Sequence, residues 1–67
     1  MEDEFEVILI RILKGEVLQK DVAKYYAKHI KTNNINWPLL NLAIKYKWSD
    51  SGLIRIKKMA WKIVEKD

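Results

Sequence analysis

The sequence predicts an all-α fold, a small single-domain bundle of about four short helices spanning residues 1–67. Three observations lead there. Apolar residues recur at helical spacing in four successive segments, forming stripes at about 100° per residue. Breakers are scarce, with two glycines and one proline in the whole chain. Polar clusters supply the joints instead: Gly15, then Thr32-Asn33-Asn34, then Ser49-Asp50-Ser51-Gly52. Between these joints the segments run about ten to fifteen residues, the usual length of globular helices.

The first helix is expected near residues 3–14. Phe5, Ile8, Leu9, Ile12 and Leu13 form one stripe, acids open the segment, and Arg11 and Lys14 close it in the sense the helix macrodipole favours. Gly15 suits a C-terminal cap. Val7 and Ile10 fall off the stripe, and the β-branched content would also suit a strand; the stripe and its end signals favour a helix. The second helix, near 17–31, aligns Leu18, Val22, Tyr25, Tyr26, His29 and Ile30, with Lys20, Lys24, Lys28 and Lys31 on the opposite face. His29 reads as a hydrogen-bonded boundary residue. The third, near 37–48, has Asn36 as N-cap and Pro38 in its first turn, where a missing N–H costs nothing. Leu39, Leu40, Leu42, Ala43, Ile44 and Tyr46 cover more than half its circumference, so it is expected to be the central and most buried helix. The fourth, near 50–65, opens at a capping Ser49 or Ser51. It turns Leu53, Ile56, Ala60, Ile63 and Val64 inward and Arg55, Lys58 and Lys62 outward. The expected core is Leu18, Val22, Tyr26, Leu40, Ile44, Leu53, Ile56, Ala60 and Ile63.

Composition excludes several function classes. There is no cysteine for a disulfide or a thiolate metal site, and the lone His29 leaves a metal without a ligand set. No glycine-rich phosphate loop exists, and no acid pairs with the histidine at useful spacing. Ser49 and Ser51 serve capping better than nucleophilic attack. Neither catalysis, a metal nor a cofactor is therefore expected. The longest apolar run, Val7 to Ile10, is far too short for a bilayer. The acidic first residues are the opposite of a secretory or transit leader, so a cytoplasmic, intracellular location is expected.

Charge points toward a partner. From Val22 to Val64 the chain carries one acid, Asp50, against nine bases, while most remaining acids crowd the front. The formal net charge is +4. A field sorted in this way attracts polyanions, and nucleic acid is the expected partner. Arg55, Lys58, Lys62 and Lys45 are the candidate phosphate contacts. Trp37 and Asn41 share with Lys45 and Trp48 the narrow strip that the apolar residues leave free on the third helix, and they are the candidate base contacts.

The span from Gln19 to Trp48 resembles a helix-turn-helix DNA-binding unit. Gln19-Lys20-Asp21-Val22-Ala23 looks like the opening of its first helix, with the small Ala23 where the helices would cross. The resemblance implies a DNA-binding, regulatory role with Asn36 to Lys47 in the recognition position. The joint from Lys31 to Ile35 is longer than the family's turn and lacks its glycine.

The alternative expectation is a protein-interaction module or inhibitor that meets an acidic protein surface without nucleic acid. Val7, Ile10, Ile54 and Trp61 lie off the main stripes and are the candidate interface, with a homodimer as the simplest assembly.

Overall fold

The computed structural model describes residues 4–32 and 35–66, and every regular element among them is helical. Asp3, Asn33 and Asn34 lie outside the described residues. Helix α1 spans Glu4–Lys14, α2 spans Gln19–His29 and α3 spans Trp37–Lys66. The four expected helices appear as three elements, because the third and fourth meet without a loop at a kink in the expected joint. The third and fourth segments run together as one element, bent at Ser49, whose φ of 69° and ψ of 179° are not helical. A straight helix of 30 residues would be about 45 Å long, yet the longest extent of the molecule is 29 Å. The bend divides α3 into a first limb before Ser49 and a second limb after it.

Local chemistry explains the ends. Acids in the first turn of α1 and Arg11 with Lys14 in its last turn complement the helix dipole. Gly15, at φ 73°, closes it in a Schellman turn: its N–H donates to Ile12 O at 3.1 Å and the Glu16 N–H donates to Arg11 O at 2.9 Å. The Lys47 ammonium lies so near that a Cβ on Gly15 would come within 2.9 Å of Nζ. Leu18 is the N-cap of α2 and has no side-chain acceptor, so only the reciprocal half of a capping box forms, from Leu18 N–H to Asp21 Oδ2 at 3.4 Å. Asn36 caps α3 as expected, its Oδ1 accepting from Leu39 N–H at 3.1 Å, with Pro38 in the first turn. At the bend the Ser49 and Ser51 hydroxyls lie 3.0 Å apart. Trp48 folds back over the buried Gly52, where a Cβ would collide with Trp48 Cβ.

The core lies where α3 packs against α1 and, more extensively, against α2. Ile12, Val22, Ala23, Leu40, Ile44, Ile56 and Ala60 are sealed from solvent, and Tyr25, Tyr26 and Ala43 nearly so. The expectation fails at Leu18, which is 61% exposed. It precedes the helix as its cap, so it does not continue the inward stripe of Val22 and Tyr26. Leu53 and Ile63 are half-buried at the edge of the core, and Ile12, Ala23, Tyr25 and Ala43 join it. The first limb of α3 is not enclosed either: Leu39, Leu42 and Tyr46 are exposed. Among the described residues no helix is long and apolar enough to cross a membrane.

Candidate nucleic-acid interface

The six residues proposed from sequence for nucleic-acid contact separate into two groups of three. Trp37, Asn41 and Lys45 sit on the first limb of α3, and each is held by a partner. The Trp37 ring packs on Tyr26 with centroids 4.6 Å apart, and its Nε1–H donates to Thr32 O at 3.2 Å. Asn41 Oδ1 accepts from the Tyr26 hydroxyl at 3.3 Å. Burial pushes the Tyr26 phenol above its ordinary value of 10.0. The Lys45 ammonium is 3.2 Å from Asp50 Oδ1, across the bend. The strip expected to face outward therefore leans on α2. Trp37, Asn41 and Trp48 are all half-buried, and the exposed surface of this limb carries Leu39, Leu42 and Tyr46 beside Lys45 and Lys47. The residues in the recognition position of a helix-turn-helix thus expose three large apolar side chains along with two lysines. Ala23, where the two helices of such a unit would cross, is fully buried.

Arg55, Lys58 and Lys62 behave differently. They occupy one exposed face of the second limb at spacings of three and four, and none makes an ion pair among the described residues. With Ser51, Ile54 and Met59 they line a shallow depression of about 330 Å³. Helical periodicity puts Trp61 beside Ile54, seven residues earlier, on the edge of that face next to Lys58. It is 52% exposed and Ile54 54%. The face therefore combines three unpaired cations with an accessible indole, groups suited to neutralising phosphates and stacking on a base. Sequence reasoning had assigned Trp61 to a protein interface. The signal that links it to the cations is the i, i+3 step from Lys58 to Trp61 on one helix.

Elsewhere the bases are partly engaged. Lys28 Nζ meets Glu4 Oε1 at 3.1 Å, and His29 Nε2 lies 3.7 Å from the other oxygen of that carboxylate. The His29 ring packs on Tyr25 with centroids 4.7 Å apart. The candidate interface residues are not brought together: Val7 and Ile10 line a depression along α1, and Ile54 lines the one on α3. Compared with models of known protein families, with curated proteins and with solved structures, the chain matches none.

Proposed function

We propose that the protein binds nucleic acid through the second limb of α3. Arg55, Lys58 and Lys62 neutralise successive phosphates, and Trp61 offers a platform for an unpaired base. The observation that carries this reading is the exposed face itself, where three cations without an ion pair among the described residues lie to one side of an accessible tryptophan. Such a surface reads the backbone rather than a sequence, because phosphate contacts carry charge but no base identity. A partly exposed indole favours single strands, whose bases are free to stack. DNA and RNA both meet these requirements. In this reading Trp37, Asn41 and Lys45 support the limb that bears the surface, and the recognition-helix role implied by the helix-turn-helix resemblance does not fall to Asn41.

The test is titration of labelled single-stranded and duplex oligonucleotides at two salt concentrations. Binding should weaken steeply with salt, because each neutralised phosphate releases counterions. Lys58→Ala should weaken all sequences alike and flatten the logarithmic salt slope by about one unit. Trp61→Ala should cost about 1–3 kcal/mol on single strands and much less on duplex, and Trp61→Phe should retain most of the affinity. Absence of binding to any oligonucleotide at low salt would refute the reading and favour an acidic protein surface as the partner of this face.

A further inference from the structure

Five of the eight large apolar side chains exposed among the described residues, Ile10, Leu13, Leu39, Leu42 and Tyr46, lie on α1 and the first limb of α3. Leu9, Leu13, Leu39, Leu42, Ala43 and Tyr46 line a groove of about 260 Å³ with no polar surface in it. Of these, Leu13 and Leu42 are 51% and 61% exposed. Immediately beside the groove α1 presents Glu6, Ile10 and Lys14, which share one face at intervals of four residues. Ile10 is 51% exposed, and Glu6 and Lys14 are exposed without an ion pair among the described residues.

That arrangement is self-complementary. Ile10 lies midway between an acid four residues before it and a base four residues after it, each displaced by about 6 Å along the axis. If α1 is laid antiparallel on a second α1 across a two-fold axis at Ile10, each Glu6 faces the Lys14 of the other copy. The two Ile10 side chains then meet at the centre. A two-fold contact uses the same patch twice, so one favourable pairing occurs two times and no like charges are forced together. The parallel arrangement would instead set Glu6 on Glu6 and Lys14 on Lys14.

We infer that the protein forms a homodimer through this face, with α1 antiparallel to its copy about Ile10 and the Leu13–Leu42–Tyr46 groove enclosed by the contact. An interface of ordinary size takes about 800 Å² from each copy, close to one sixth of the 4937 Å² accessible surface of the chain. The inference shares no residue with the proposed nucleic-acid face, so either can fail without the other.

The test is sedimentation of the full chain from about 1 to 200 μM, with far-UV circular dichroism to confirm that each variant folds. The parent should approach twice the 8.0 kDa chain mass. Glu6→Lys alone and Lys14→Glu alone should each raise the dissociation constant at least tenfold, because each sets like charges opposite one another twice. The double variant Glu6→Lys with Lys14→Glu should restore the dimer. That rescue cannot come from a stronger helix, since the exchange opposes the α1 macrodipole. Leu42→Ser should weaken association in either background. A parent that stays monomeric throughout would overturn the inference. So would a dimer indifferent to the single charge changes, or a double variant that fails to re-associate while folded.

Discussion

Replacing Gly52 by alanine tests the bend in α3 directly. In a regular helix interior this change stabilises by about 1 kcal/mol, because glycine is the poorer helix former. At Gly52 the added Cβ would lie under 3.0 Å from Trp48 Cβ, closer than real Cβ atoms approach. Carbon atoms attract best at about 3.5–4.0 Å, so the two limbs must separate by more than half an ångström. The opposing atom is fixed to the backbone, and no rotamer change of Trp48 can move it aside. Overpacking of this kind costs about 1–3 kcal/mol, and with a rigid opponent the upper part of that range applies. The net expectation is a loss of about 1–2 kcal/mol, out of the roughly 3–5 kcal/mol that a core this small supplies. Urea unfolding followed by tryptophan fluorescence and circular dichroism would measure it, with the midpoint shifting at unchanged slope. Trp48→Ala keeps the offending Cβ and should not relieve the clash, whereas Trp48→Gly should remove much of it. A Gly52→Ala variant that gains about 1 kcal/mol would refute the reasoning and mean that α3 passes this point as a straight helix.

Two further outcomes follow from burial and from the polar contacts. Ile44→Ala or Leu40→Ala should cost about 2–5 kcal/mol, since both side chains are fully buried; Leu18→Ala, at the exposed cap, should stay within about 0.5 kcal/mol of the parent by the same denaturation assay. Tyr26→Phe should cost about 0.5–1.5 kcal/mol at neutral pH through loss of the bond to Asn41. It should also change the alkaline limb. The folded phenol ionises above 10.0, so the unfolded chain releases its proton first and stability falls as the pH rises beyond that value. Phenylalanine cannot ionise, and the variant should lose less stability there than the parent does, as thermal melts on both sides of pH 10 would show.

What was legible in the sequence was local. Gly15 and Asn36 end and begin helices through bonds to backbone groups within a few residues, so their roles can be read without knowing the fold. The outward face of Arg55, Lys58 and Lys62 was equally readable, because Ile56 and Ala60 make an unambiguous inward stripe. The first limb of α3 was not. Apolar residues cover most of it, and periodicity cannot say which part wins the interior when 67 residues supply too few neighbours to cover all of it. The choice was made by tertiary partners: Tyr26 takes both Trp37 and Asn41, which turns that strip toward α2 and leaves Leu42 and Tyr46 outside. The joining of two expected helices at Ser49 was hidden for a related reason. A serine in a region of torsions normally reserved for glycine is a property of the surrounding packing, and nothing in the residue's own preferences announces it.

The bend at Ser49 also governs which changes in length the chain can accept. Two helices joined by a loop can gain or lose a residue there, because slack absorbs the difference. Here the turn is made at one residue, Ser49, with no loop between the limbs, so no slack separates the end of the first from the start of the second. One inserted residue at this point would rotate everything beyond it by about 100°. Ile56 and Ala60 would swing away from the interior, and Arg55 and Met59, one position before each, would be carried into their places. The torsions of a single serine thus act as a phase reference for the second limb of α3, fixing in one step both what the core receives and what the surface displays.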